Sequence, residues 1–114
     1  MLARRFTLKG VINFKKVQKE GRIVQSGSFG LAYLNRGDSE ASLYGFIVST
    51  KICKEAVNRH RIARALSEAV RYLLTEIKPG YNIVFLAKAI SPKKSTDILM
   101  HEVKPALEKA KLLK

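Results

Sequence analysis

The densest set of side chains able to do chemistry lies in Lys51-Ile-Cys-Lys-Glu-Ala-Val-Asn-Arg-His-Arg-Ile-Ala-Arg64. Asn58 is a plausible N-cap for the helix that follows, which puts Arg59, His60 and Arg61 in its first turn and Lys54 just ahead of it. A helix N-terminus carries partial positive charge, and each cation placed there costs roughly 0.3–1 kcal/mol. Local stability does not favour such crowding. An incoming phosphate reverses the sign, because exposed backbone N–H groups, the helix dipole and guanidinium forks then all favour one anion. A solvated basic face without a partner is the bland alternative, and the unfavourable placement argues against it.

Bond-breaking chemistry needs acid–base groups or a metal cluster. The only histidines, His60 and His101, stand at the start of a long helix and in the tail, and nothing in the sequence brings them together. Asp38 and Glu40 sit in a turn and read as solvated loop residues. Cys53 is the only cysteine, which excludes an internal disulfide and a cysteine metal cage; it reads as a small, partly buried side chain. The expectation is a chain with no catalytic residues and no side-chain metal site, supporting chemistry done elsewhere.

The whole composition agrees with a polyanionic partner. The chain has 114 residues, 22 Lys+Arg against 9 Asp+Glu, and a formal charge of +13, an excess that opposes the compact state. Its 46% hydrophobic content still suits a folded domain. The charge concentrates in residues 1–22, 51–71 and 88–114, while 23–50 and 72–87 are nearly neutral and read as strands. No apolar run approaches the ~20 residues that span a bilayer. The basic start lacks the apolar stretch of a secretory signal. No membrane partner and a reducing, cytoplasmic location are expected.

The elements that must position these residues follow from periodicity. Thr7 could cap a first helix ending at Gly21, with Leu8, Val11, Ile12, Phe14 and Val17 on its apolar face and Gly21 in the left-handed C-terminal position. Phe29–Leu34 and Leu43–Ser49 are strand-like runs on either side of turn-forming residues 35–39, and a short strand is possible near Ile23–Gln25. Ile62, Leu66, Ala69, Val70, Leu73 and Ile77 recur at spacings of three and four, the mark of a long amphipathic helix stopped by Pro79-Gly80. That helix puts Arg61, Arg64, Glu68 and Arg71 opposite the apolar stripe. Tyr81–Ala87 is the last strand. Strand, long helix, strand implies a crossover between parallel neighbours. The tail from Ser95 is helical in pattern, with Pro105 expected to kink or restart it. One α/β (α+β) domain over residues 1–114 results, with a central mixed sheet of about four strands in the order α-β-β-(β)-α-β-α.

Here the sequence resembles a family. Lys51, Ala56, Arg59-His-Arg61-Ile62, Arg64 and Glu68 look like the signature of the bacterial ribonuclease P protein, usually R-N-R-x-K-R-x-x-R-E. Asn13–Gly21 is similar to its first-helix motif, Gly45–Ser49 to the strand before the signature, and Gly80–Lys88 to its last strand. Four motifs in register over residues 4–90 are more specific than any one of them. His60, Ala63 and Ser67 depart from the usual Asn, Lys and Arg, and Gln18 and Ala32 stand where aromatics are frequent. The resemblance implies a left-handed crossover through the signature helix, which periodicity does not reveal. It also implies a protein that assists a catalytic RNA in removing the 5′ leader of precursor tRNA. Lys51, Lys54, Arg59, His60, Arg61 and Arg64 would meet the RNA subunit. Phe14, Phe29 and Tyr33 would line a cleft for the single-stranded leader, although for Phe14 a core role fits equally well. Catalytic Mg2+ would sit on the RNA, and no obligate protein partner is implied.

Two other classes share the charge. A ribosomal or ribosome-assembly protein leaves the four motifs unexplained; co-purification with ribosomes at high salt would favour it. A DNA-binding regulator reading with the long helix lacks the tightly turned helix that should precede it.

Overall fold

The computed structural model describes residues 2–114. Seven elements follow in order: α1 (Val11–Glu20), β1 (Arg22–Gln25), β2 (Phe29–Asn35), β3 (Leu43–Ile47), α2 (Ala56–Leu73), β4 (Tyr81–Ala87) and α3 (Thr96–Lys109). Single 3-10 turns at Arg4–Phe6, Leu74–Glu76 and Ser91–Lys93 join them. The sheet runs β1-β2-β4-β3, antiparallel except for the β3–β4 pair. α2 is therefore the crossover between parallel neighbours, as the strand–helix–strand pattern implies.

Strand alternation divides the core. Phe29, Leu31, Ile83 and Phe85 face α2 and α3 and pack with Ile62, Leu66, Val70, Leu99 and Val103. Ala32 and Val84 face the other way, against Leu8 and Val17. Of the α2 stripe predicted from spacing, Ile62, Leu66, Ala69 and Val70 are buried, but the helix ends at Leu73, which is half-buried, and Ile77 is buried beyond a 3-10 turn rather than on the helix.

The first helix corrects the sequence reading. It begins at Val11 behind Gly10, whose φ of +90° suits glycine, and no side chain caps it. Thr7 instead forms a bridge with Tyr44 beside β3. Val11 and Ile12 are exposed, so the apolar face is narrower than the hydrophobic count suggested. Gly21 is extended, with φ −80°, rather than left-handed. Its requirement is room: a Cβ there would collide with the carbonyl oxygens of Val17 and Tyr33.

α3 starts on Ser95, whose Oγ accepts from the Ile98 N–H at 3.2 Å, and runs unbroken through the exposed Pro105. Its end is a Schellman turn: Leu112 N–H donates to Leu107 O and Lys111 N–H to Glu108 O. From its middle, the Glu102 carboxylate accepts from Ser26 Oγ at 2.7 Å, Ser28 N–H at 2.8 Å and Ser28 Oγ, tying α3 to the β1–β2 turn. Burial pushes this carboxyl up, but the hydrogen bonds from Ser28 and Ser26 outweigh that and hold its pKa below the ordinary value. Its contribution to stability is therefore complete above the unfolded value of 4.5 and disappears as pH falls through the lower folded value. Glu102→Gln is expected to lose about 1–3 kcal/mol at pH 7, towards the lower end for a partly exposed site. Urea unfolding of both proteins from pH 7 to 3 checks this; a deficit that does not shrink in acid contradicts it.

The β2–β3 loop also differs from expectation. Asp38 is not merely solvated but takes two 3.0 Å hydrogen bonds from Arg36 Nε and Nη2. The Arg36 hydrogen bond holds its carboxyl below the usual range. Arg36 also donates to Asn82 Oδ1 and to the Ala41 carbonyl.

Candidate nucleic-acid interface

The basic stretch begins where β3 ends. Residues 48–55 leave the sheet at Ile47 and carry exposed Lys51 and Lys54 to the start of α2. α2 opens three residues earlier than the sequence suggested, at Ala56 with Glu55 as N-cap, and no side chain caps its amides. Asn58 lies inside the first turn, where its Nδ2 donates to Glu55 Oε1 at 3.4 Å. Arg59, His60 and Arg61 thus fall in the second turn rather than the first.

Their packing gives two of them a role within the chain. Arg59 Nη1 donates to the carbonyls of Cys53 (3.0 Å) and Lys54 (2.8 Å), folding the guanidinium back over the helix start. Arg61 spans to the chain ahead of α3, with Nη1 on Lys94 O (3.0 Å) and Nη2 on Pro92 O (3.1 Å). The view that local stability has no use for these cations is therefore corrected: both satisfy loop carbonyls. Arg64 is exposed, and its guanidinium has no partner among the described residues. His60 is exposed as well, on the rim of a groove of about 550 Å³ between α2 and α3 that Val57, Arg64 and Met100 also line. Arg71 pairs with Glu68 at 2.7 Å, so it is less available than Arg64. Cys53 is buried, its Sγ 3.6 Å from the Glu55 carbonyl.

On the far side of the sheet, α1 sets Phe14 against β3. Gly45 makes this possible, since a Cβ there would overlap the Phe14 ring. The neighbouring rung of the same face, Gln25–Gly30–Leu86–Ile47, runs across all four strands. Leu86 and Ile47 on it are only half-buried, and Ile23, one rung away, is 53% exposed. These partly exposed apolar side chains lie beside Phe14 and form the floor of a candidate cleft, which ends at Ile47, where the Lys51–Lys54 loop begins.

Phe29 and Tyr33 do not belong to that cleft. Both point to the α2/α3 side with Leu31, because residues two apart on a strand share a face. Phe29 is fully buried, its ring 5.3 Å from that of Phe85, and leaves no surface on which a base could stack. Tyr33 is half-buried near the other end of β2, its ring 6.4 Å from Tyr81. Ile23, Ile47 and Leu86 are the cleft residues that sequence reasoning missed; alternation could have paired them with Ala32, but only the position of α1 shows which face is open.

An exposed cationic loop and helix start beside a partly exposed apolar strip, on a +13 chain, combine the charge and apolar area that suit a nucleic-acid strand. A model of the Ribonuclease P family matches residues 2–111. The chain belongs to the ribonuclease P protein family. It is 39% identical over 90 residues to the ribonuclease P protein component of Clostridioides difficile, covering 78% of this chain and 76% of that one. With the same component from a Pseudanabaena species the identity is 31% over 113 residues, covering 99% and 97%. The Staphylococcus aureus RNase P protein structure superposes with a TM-score of 0.88 at 23% identity, over 96% of this chain and 98% of that one, and so shares the fold. As a ribonuclease P protein, the chain is the RNA-binding subunit of an endoribonuclease ribonucleoprotein that matures the 5′ end of tRNA.

Membership clarifies one departure from the ribonuclease P signature. Ser67 is 1% exposed and donates to the Arg64 carbonyl at 3.0 Å, so the change at that position lies on the core side of α2. His60 and the half-buried Ala63 are the departures that reach the surface. Among the described residues no helix is long and apolar enough to cross a membrane.

Proposed function

We propose that Lys51, Lys54, Arg59, His60, Arg61 and Arg64 seat the catalytic RNA, and that the strip beside Phe14 takes the 5′ leader of precursor tRNA. The observation that carries this reading is the junction at Ile47, where the open rung of the sheet runs into the cationic loop. Phosphates fit the loop and the uncapped start of α2, where only Nη1 of Arg59 is used by the chain. Unpaired bases fit the apolar strip, because every base presents a π-face and an apolar edge whatever its sequence. Divalent metal for hydrolysis is assigned to the RNA, since prominent carboxylates here serve the fold: Asp38 on Arg36, Glu68 on Arg71, Glu102 on Ser28.

The test is reconstitution with a cognate catalytic RNA, followed by RNA affinity, precursor cleavage and thermal melting. Arg64→Ala is expected to weaken RNA binding by about 1.5–3 kcal/mol, the range for charge-assisted hydrogen bonds, while stability changes by less than about 0.5 kcal/mol. Arg61→Ala is expected to lower both, because Pro92 and Lys94 carbonyls lose their donor. An Arg64→Ala protein that binds RNA like wild type removes α2 from the interface.

A further inference from the structure

A second polar pocket, of about 480 Å³, lies at the opposite end of the sheet. Tyr33 and Tyr81 occupy diagonal positions on β2 and β4, and Arg22 is directly opposite Tyr33 on β1. Lys78 and Lys111 complete the rim from the loop before β4 and the turn after α3. Arg22, Lys78 and Lys111 have no side-chain partner among the described residues, and Glu20, the carboxylate on the rim, pairs with none of them. Three segments far apart in sequence thus deliver three free cations around two half-buried aromatic rings.

Lys111 is the more telling of them. It holds the C′ position of the α3 Schellman turn with φ +59°, the only non-glycine residue of positive φ among those described. Glycine is the residue that suits this position. Buried Ala110 and Leu112 on either side turn the lysine outward to the pocket. A cation stands where the backbone favours glycine, and the fold alone supplies no contact that uses it.

We propose that this pocket is a second RNA site, taking one phosphodiester on Arg22, Lys78 and Lys111 with the adjoining base against Tyr33 and Tyr81. It is separate from the leader cleft: its tyrosines point to the other face of the sheet, and Tyr81 and Leu86 are roughly 16 Å apart along β4. The inference rests on the reading of the chain as an RNA-binding subunit. The strand belongs either to the catalytic RNA or to precursor tRNA, which share this chemistry.

The experiment uses Lys111→Gly with Lys78→Gln, and Lys104→Gln with Lys109→Gln, two exposed lysines of α3 outside the pocket, as a control that removes the same charge. One arm measures binding to catalytic RNA alone, and the other measures binding of precursor tRNA to the reconstituted complex, both across a salt series. The paired variant is expected to lose about three- to tenfold in one arm, and the log–log salt slope there to shrink by about one. A loss in the first arm assigns the strand to the catalytic RNA; a loss confined to the second assigns it to precursor tRNA. Melting temperature should hold or rise, because glycine relieves the left-handed position; should Lys78→Gln lower it, Lys111→Gly alone carries the comparison. A paired variant that matches the two-lysine control in both arms overturns the pocket while leaving the functional reading intact. A wild-type protein that binds neither RNA overturns both.

Discussion

Binding of catalytic RNA is expected to weaken by about 100- to 500-fold when monovalent salt rises from about 50 to about 200 mM. Releasing condensed counterions gives a log–log slope of about −0.7 to −0.9 per phosphate neutralised. Five cations at the proposed interface, Lys51, Lys54, Arg59, Arg61 and Arg64, then give a slope of about −3.5 to −4.5. The value discriminates between two ways of using the same +13 chain. A defined docking face engages a handful of phosphates, whereas a diffuse polycation engages many more and produces a far steeper slope. Fluorescence binding across a salt series at fixed Mg2+ measures it. A flat profile removes phosphate neutralisation as the driving force, and a slope near −10 removes the localised interface.

Loss of the Phe14 ring is expected to separate precursor from mature tRNA. Phe14→Leu keeps an apolar side chain beside Gly45 but abolishes the flat π-face. Stacking of one base is worth about 1–3 kcal/mol, so the reconstituted complex should bind precursor tRNA about 5- to 150-fold more weakly. Affinity for mature tRNA, which has no leader, should stay unchanged. Gly45→Ala provides an independent route to the same result. The new methyl group overlaps the ring and displaces Phe14 from β3 without altering its chemistry. Both variants should therefore shift discrimination in the same direction. If precursor and mature affinities fall together with the melting temperature, Phe14 serves the core and the leader lies elsewhere.

Features governed by local periodicity were legible in the sequence. The α2 stripe, the span of β4 and the parallel crossover follow from spacings of three and four, from alternation and from Pro79-Gly80. The starts of α1 and α2 were not, because Thr7 and Asn58 have capping side chains but other employment: Thr7 pairs with Tyr44 and Asn58 reaches Glu55. In the structure, alternation along β2 separates Phe29, Leu31 and Tyr33 from Ala32 and Leu34. What it could not supply was which face α1 covers, so two aromatic residues were assigned to a cleft they turn away from. The cationic stretch was found by charge, yet its inner contacts were invisible, since the carbonyls that Arg61 binds come from residues 92 and 94.

The parallel pairing of β3 with β4 also sets an order of events during synthesis. β1 and β2 are adjacent in sequence and can close as a hairpin once residue 35 is available. β3 has no such hairpin partner: among the described residues it touches the earlier chain through the single Thr7–Tyr44 bridge, and its one strand neighbour is β4, which arrives after residues 48–80. Until Tyr81–Ala87 has been made, Leu43–Ile47 has no ladder to join, and the loop bearing Lys51 and Lys54 has no fixed base. Arg61 must wait longer, because its acceptors follow β4. A nascent chain that has exposed the whole basic stretch therefore still lacks the shaped RNA surface. That surface is complete only once residues 92–94 have emerged and packed against α2.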